Sequence, residues 1–259
     1  MTEDTQPNAL HLDLDDLRAY LTTVDLETMF VTVSGAHIYG FPSADSDVDL
    51  RGCHRLPLNK IVGLAIPNQT CDRADVRAGI EVDIVSHEIG KYFNLLVKNN
   101  GYILEQVFSP IVVKGQAFLD ELRPLAKNCI TKNHYYHYRG FFQSQLKLLA
   151  KQEPVTAKAM LYAYRVLATG IHLMNTGEVV TDLNQLAYEL KIADIPELIA
   201  SKVEEKVKFN FDVEQHLSRL EDLETTMEAA FEASKLPESP DRDAVNELLV
   251  ELRLGRTGD

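Results

Sequence analysis

The chain has 259 residues, 45% of them hydrophobic, 25% charged and 8% aromatic, a balance that allows a buried core and excludes disordered, collagen-like and fibrous classes. Its 26 basic and 39 acidic side chains leave a net charge of −13, which by itself argues against a protein that coats nucleic acid nonspecifically. Apolar runs such as 161–168 stop well short of the ~18 residues of a membrane span, and the acidic, polar start at residues 1–4 is unlike a secretory leader, so no membrane association and a cytoplasmic location are expected.

In chain order, Leu14, Leu17 and Leu21 recur at helical spacing behind Asp13, predicting a capped helix over 12–24. Met29 to Val33 is short and β-prone. The segment 47–51 alternates acidic and apolar residues, the period of a half-buried strand, and 79–86 does the same with Ile80, Val82 and Ile84 opposite Glu81 and Asp83. A helix over 88–97 follows, ended by Asn99, Asn100 and Gly101. Beyond about Leu119 the β-like alternation stops, and helical patterns run through 131–151, 155–175 and 211–235, with a last helix from near Asp241. The expected fold is α/β (α+β), with a small mixed sheet in an amino-terminal domain (1–120) and an all-helical domain after it (121–259). Cys53, Cys71 and Cys129 are odd in number and widely spaced, so reduced thiols are expected.

The sharpest local feature is Ser34-Gly35-Ala36-His37-Ile38-Tyr39-Gly40, a Ser/Asp loop, and then Asp47-Val48-Asp49. Carboxylates one residue apart on a strand share a face, and such a pair suits hard cations such as Mg²⁺ or Mn²⁺. A third carboxylate on a neighbouring strand, Asp83 or Glu81, would complete a two-metal site for phosphoryl or nucleotidyl transfer. Ser34-Gly35 would let backbone N–H groups approach phosphate oxygens. Asp45 has the same parity but sits in a turn-forming loop.

Charge is unevenly placed: residues 122–170 hold 8 basic and 1 acidic side chain, a block that points to a polyanionic partner or to a solvated face. Within it Lys158, Tyr162 and Arg165 share one helical face and could grip a triphosphate and stack a base, the alternative being a solvated face with a half-buried Tyr. Lys147 and Lys151 offer a second polyanion contact. His134 and His137 have a spacing compatible with a metal, Glu105 in its apolar stretch reads as a buried ion pair or cap, and Lys91 as a phosphate contact or an ion-pair partner.

With these residues the chain resembles the nucleotidyltransferase superfamily of DNA polymerase beta, and more narrowly its RNA repair pathway DNA polymerase beta family. Gly35 to Gly40, Ser46 to Gly52, Asp83 with Lys91-Tyr92, Asn100-Gly101 to Ser109-Pro110, Lys158 to Arg165, Thr176-Gly177-Glu178, Leu236-Pro237 and Asn246 to Leu249 carry the resemblance over nearly the whole chain. It implies a metal-dependent transfer of a nucleoside monophosphate from an NTP to an acceptor hydroxyl, which an RNA 3′ end could supply, with release of pyrophosphate. It also implies that Asp47, Asp49 and Asp83 hold Mg²⁺ or Mn²⁺, and that Ser34, Gly35, His37, Lys158, Tyr162 and Arg165 contact the nucleotide. The chain departs from the family pattern at Ala36, where Ser is usual, and at His37, where Arg is common. Ser34 then supplies the hydroxyl, or backbone alone holds the phosphate. A regulatory or antitoxin-like module that binds nucleotide without useful turnover is the competing expectation.

Overall fold

The computed structural model describes residues 12–203 and 211–255; the acidic start at residues 1–4 lies outside them. The amino-terminal half runs α1 (Leu14–Thr23), β1 (Glu27–Ser34), α2 (Ala36–Tyr39), β2 (Val48–Arg55), α3 (Leu58–Ile61), β3 (Thr70–Arg77), β4 (Ile80–Glu88), α4 (Ile89–Leu96), α5 (Gly101–Val107) and β5 (Val112–Lys114). Then come α6 (Gln116–Lys127), α7 (His134–Leu149), α8 (Ala157–Thr176), α9 (Leu183–Glu189), α10 (Ile195–Val203), α11 (Val213–Ala233) and α12 (Arg242–Leu254).

The sheet order is β3-β4-β2-β1-β5. Strands β2 and β4 are parallel and the other neighbours antiparallel, which gives the expected small mixed sheet. Period-2 alternation makes the sheet two-faced. Val31, Val33, Val48, Leu50, Val82 and Ile84 face α1, packing on its Leu17, Tyr20 and Leu21 in one apolar cluster. Helix α1 starts where Asp13 accepts from the Asp15 and Asp16 amides at 3.1 and 2.9 Å. The opposite face carries Ser34, Asp49, Arg51, Asp83 and His87 at one end, and Phe30 and Cys53 in the main core at the other.

Strands β3 and β5 and helices α2, α3, α5, α6, α9 and α10 are not in the pattern read along the chain. Strand β3 is an edge strand, mostly exposed and without apolar alternation, so its pairing with β4 rather than its composition defines it. Strand β5 has three residues. Helices α9 and α10 are 7 and 9 residues long, too short for a sustained period. The 120/121 division falls inside α6, which packs on α5 and β1, and one apolar cluster runs from Phe30 through the helical half to Val245 and Leu252. Helix α8 lies at its centre, with fourteen of its twenty residues buried. Among the described residues, no helix is long and apolar enough to cross a membrane, and Cys53, Cys71 and Cys129 are all free thiols.

Candidate active site

Register brings the key side chains together. Ser34 on β1 is the Cα partner of Asp49 on β2, and Asp49 is the partner of Asp83 on β4, so the three stand in one row across the sheet. Glu81 is exposed at the start of β4 opposite Val76, which leaves Asp83 as the third carboxylate. Asp47 precedes β2 and is exposed, one pleat before Asp49.

Arg51, one pleat further along β2, shares the parity of Asp47 and Asp49 and is a site residue that the Asp-x-Asp pattern alone does not point to. Its Nη2 donates to Asp49 Oδ1 at 2.7 Å and its Nη1 to Asp83 Oδ2 at 3.1 Å. Burial pushes the Asp49 carboxyl above the usual carboxylate range; Arg51 pulls it back, and Asp83 and Asp47 push it up again. Among the described residues no three His, Cys, Asp or Glu side chains form a ready metal-ligating cluster. A guanidinium occupies the place between two of the carboxylates, Asp49 and Asp83. Two carboxylates, hard-oxygen donors of the kind that Mg²⁺ or Mn²⁺ takes, are thus already held about one cationic group.

The turn beside this row is built for close approach. Gly35 has φ +69°, and a Cβ there would run into Asp49 Oδ2, so only glycine fits both the backbone and the neighbour. Gly40 closes the short α2 in the left-handed conformation. His37 in α2 is half-buried against the backbone of Ser46 and Asp47; burial lowers its pKa and these contacts partly restore it, and its Nε2 has no hydrogen-bond partner among the described residues.

The helical half holds this turn and loop in place through residues without a local sequence signal. Lys202 on α10, 3% exposed, donates to the Phe41 carbonyl at 2.7 Å, to Ser43 Oγ at 3.1 Å and to Ser46 Oγ at 3.4 Å. Thr181 donates to the Ile38 carbonyl at 3.0 Å, and Asn184 to that of Gly40 at 2.8 Å. Lys158 and Lys202 line a cavity of about 100 Å³ with Asp45, Asp47, Asp49 and Tyr162. A larger one of about 420 Å³, lined by Ser34, Gly35, Asp49, Arg51, Tyr102, Tyr162 and Arg165 among others, shares Asp49 and Tyr162 with it.

Arg165 departs from the surface role that its spacing with Lys158 suggested. It is 1% exposed and donates to Glu105 Oε1 at 2.8 Å, so Glu105 is the buried ion-pair partner its apolar setting implied. Helix α8 is buried on more than one side, and its Lys158–Tyr162–Arg165 stripe runs from solvent into the core. Tyr162 packs edge-on against Tyr39 and Phe41, with centroids 5.9 and 5.5 Å away. Lys91 donates to Thr70. His134 is buried, its Nδ1 against Thr131, and belongs to no metal cluster among the described residues.

A Gly-turn, an Asp-x-Asp strand and a third Asp in register on a parallel neighbour, on a small mixed sheet capped by helices, define the class of polymerase-beta-like nucleotidyltransferases. The sequence pattern of the RNA repair pathway DNA polymerase beta family matches residues 11–251, and the chain belongs to that family. It is similar to an uncharacterized protein of Methanocaldococcus jannaschii, 31% identical over 60% of this chain, of whose length it spans 64%. The uncharacterized protein YcgL of Bacillus subtilis is 26% identical over 91% of this chain and 92% of its own. Among solved structures, a nucleotidyltransferase-like protein from Exiguobacterium sibiricum 255-15 aligns loosely, with a TM-score of 0.30 and 10% identity over 94% of this chain and 79% of that one.

Proposed function

We propose that the protein transfers a nucleoside monophosphate from an NTP to an acceptor hydroxyl, releasing pyrophosphate, and that an RNA 3′ end is the acceptor. The observation that carries this reading is the Ser34–Asp49–Asp83 row beneath the Gly35 turn, with two lysines across the adjoining cavity. Phosphoryl transfer asks the protein mainly for positioning and charge neutralisation. Lys158 neutralises phosphate oxygens in the small cavity, Lys202 holds the Ser43–Ser46 loop beside it, and the Ser34-Gly35 turn offers backbone N–H and hydroxyl donors. Asp47, Asp49 and Asp83 would hold Mg²⁺ or Mn²⁺, which when bound supplies Lewis-acid stabilisation of the phosphate oxygens. The basic surface that includes Lys147 and Lys151 would guide a polyanionic acceptor.

One observation favours the second reading, a nucleotide-binding regulatory module: Arg51 already neutralises Asp49 and Asp83. Incubation with each labelled NTP, Mg²⁺ or Mn²⁺ and an RNA pool separates the two. Transfer of label to RNA, abolished in Asp49→Ala, supports the transferase; nucleotide binding with no transfer to any acceptor overturns it in favour of the module.

A further inference from the structure

We infer that single-stranded RNA is held along the α4 side of the site, its phosphates on Lys91 and Lys98, so that its 3′ end reaches Asp83 from the β4 side. The inference rests on the transferase reading and adds to it the path of the acceptor.

Topology sets the direction of approach. In phosphoryl transfer the attacking and leaving oxygens lie roughly in line. Strands β1 and β4 flank β2 on opposite sides. The Gly35 turn follows the end of β1, and the small cavity with Lys158 meets it at Ala36. A triphosphate held there releases pyrophosphate on the β1 side of Asp49, so the acceptor enters from the β4 side. Asp83, Val85 and His87 share one face of β4, and Val85 and His87 line the larger cavity. Between Asp83 and His87 the strand advances about 13 Å. At the His87 end, His87 Nδ1 lies 3.0 Å from Thr70 Oγ1, and Lys91 donates to the same hydroxyl. Lys91 belongs to a third cavity, of about 500 Å³, lined also by Lys98, Asn94, Asn68, Gln69 and Ile66, which shares Leu95 with the larger one.

Charge selects the occupant. The two cavities at Asp49 have no cationic surplus: Lys158 and Lys202 face Asp45, Asp47 and Asp49, while Arg51 and Arg165 are met by Asp49, Asp83 and Glu105. The third has two lysines and no carboxylate on its wall. Beyond Asn94, Arg242 and Asp243 add one charge of each sign. In a chain of net charge −13, a wall of cations without counter-charges beside the site draws a polyanion. Asn68, Gln69 and Asn94 add amide donors of the kind that meet phosphate and sugar oxygens. The loop behind α3 leaves Val62, Leu64 and Ile66 in solvent, an apolar patch of the sort that marks an interaction surface. The unstacked bases of a single strand can turn their faces to it, which those of a duplex cannot.

Fluorescence anisotropy with an end-labelled single-stranded RNA of mixed sequence tests this. The double variant Lys91→Gln/Lys98→Gln should weaken RNA binding about tenfold at about 0.1 M salt and reduce the slope of log affinity against log salt by about 1.4. Calorimetric titration with each NTP and Mg²⁺ should not distinguish it from wild type, and in the transfer assay its KM for RNA should rise at unchanged kcat. Lys191→Gln/Lys235→Gln removes the same charge from the turns after α9 and α11 and should leave RNA binding nearly unchanged. If Lys91→Gln does not fold, Lys98→Gln alone, at an exposed position, should weaken binding about threefold and reduce the slope by about 0.7. Equal weakening by both double variants, or by neither, overturns the path and leaves the transferase reading standing, as does a wild type that binds no RNA but transfers to another acceptor. Polyglutamate that displaces the labelled RNA as well as unlabelled RNA of equal charge assigns the surface to an acidic protein and also overturns the path. RNA binding that needs both lysines, with no transfer to any acceptor, supports the RNA surface and overturns the transferase reading alone.

Discussion

Asp49 and Asp83 are register partners across the parallel β2/β4 pair, and both accept from the one guanidinium of Arg51. The arrangement keeps two neighbouring carboxylates from repelling each other when no divalent cation is present. It also makes Arg51 a competitor for that cation. A unit charge about 4 Å from another near a protein surface is worth a few kcal/mol, so removing Arg51 should matter to both states. Arg51→Met is expected to bind Mn²⁺ roughly tenfold tighter without nucleotide, read by electron paramagnetic resonance of free Mn²⁺, and to melt lower in chelator. Unchanged Mn²⁺ affinity would show that Arg51 does not compete.

Asp49 itself pays in stability for its position. Its pKa in the fold is raised, chiefly by burial, so the folded chain holds this proton more tightly than the unfolded one. The associated stability is present below the unfolded carboxylate value and is lost as pH rises through the raised one. Asn at this position is permanently uncharged. Asp49→Asn should therefore melt about 1–3 °C higher than wild type at pH 7, a gain that shrinks as pH falls through the raised value and is gone below the ordinary carboxylate range, while transfer falls by at least about two orders of magnitude. A lower melting point at pH 7 would mean that the Arg51 pair outweighs desolvation.

The parts of the fold readable along the chain are those with a local period. Strands β2 and β4 announce themselves through Val48/Leu50 and Ile80/Val82/Ile84, and Asp13 and Asp241 mark helix starts by capping. Arg51 was legible in the same way, since it follows Asp47 and Asp49 at intervals of two. The fate of Arg165 was not, because its spacing with Lys158 and Tyr162 describes one helix face but not what covers it. Its partner Glu105 lies 60 residues away on another helix. Lys202 lies 161 residues from the Phe41 carbonyl it holds. Contacts of that range leave no period in either segment and follow only from packing.

Gly35 gives a test of geometry that touches no charge. Any side chain there must take up a backbone that glycine almost alone adopts (φ 69°, ψ −154°), at about 1–3 kcal/mol, and would displace Asp49 Oδ2. Displacing a reacting carboxylate by about 1 Å costs on the order of a hundredfold in rate. Gly35→Ala should therefore lose about two orders of magnitude in kcat with a fall of only a few degrees in melting temperature. A fully active Gly35→Ala protein would separate the turn from the chemistry.

The last helix is tied to the amino-terminal half by a second buried carboxylate. Glu88 is 0% exposed, caps α4 by accepting from the Gly90 amide at 2.7 Å, and receives Arg253 Nη2 from α12 at 3.1 Å on both oxygens. Arg55 adds a weaker hydrogen bond at 3.4 Å to the Leu252 carbonyl. Removing one partner of a fully buried pair costs about 3–5 kcal/mol; Arg253 is 28% exposed, so water offsets part of the loss and about 2 kcal/mol is expected for Arg253→Met. Urea denaturation should show it as a lower midpoint at unchanged slope. Adding Glu88→Gln should recover part of the loss, because an amide oxygen still caps α4 and no longer needs a cation. A double variant no more stable than Arg253→Met would assign the loss to the packing of the Arg253 stem against α4 instead of to the stranded charge.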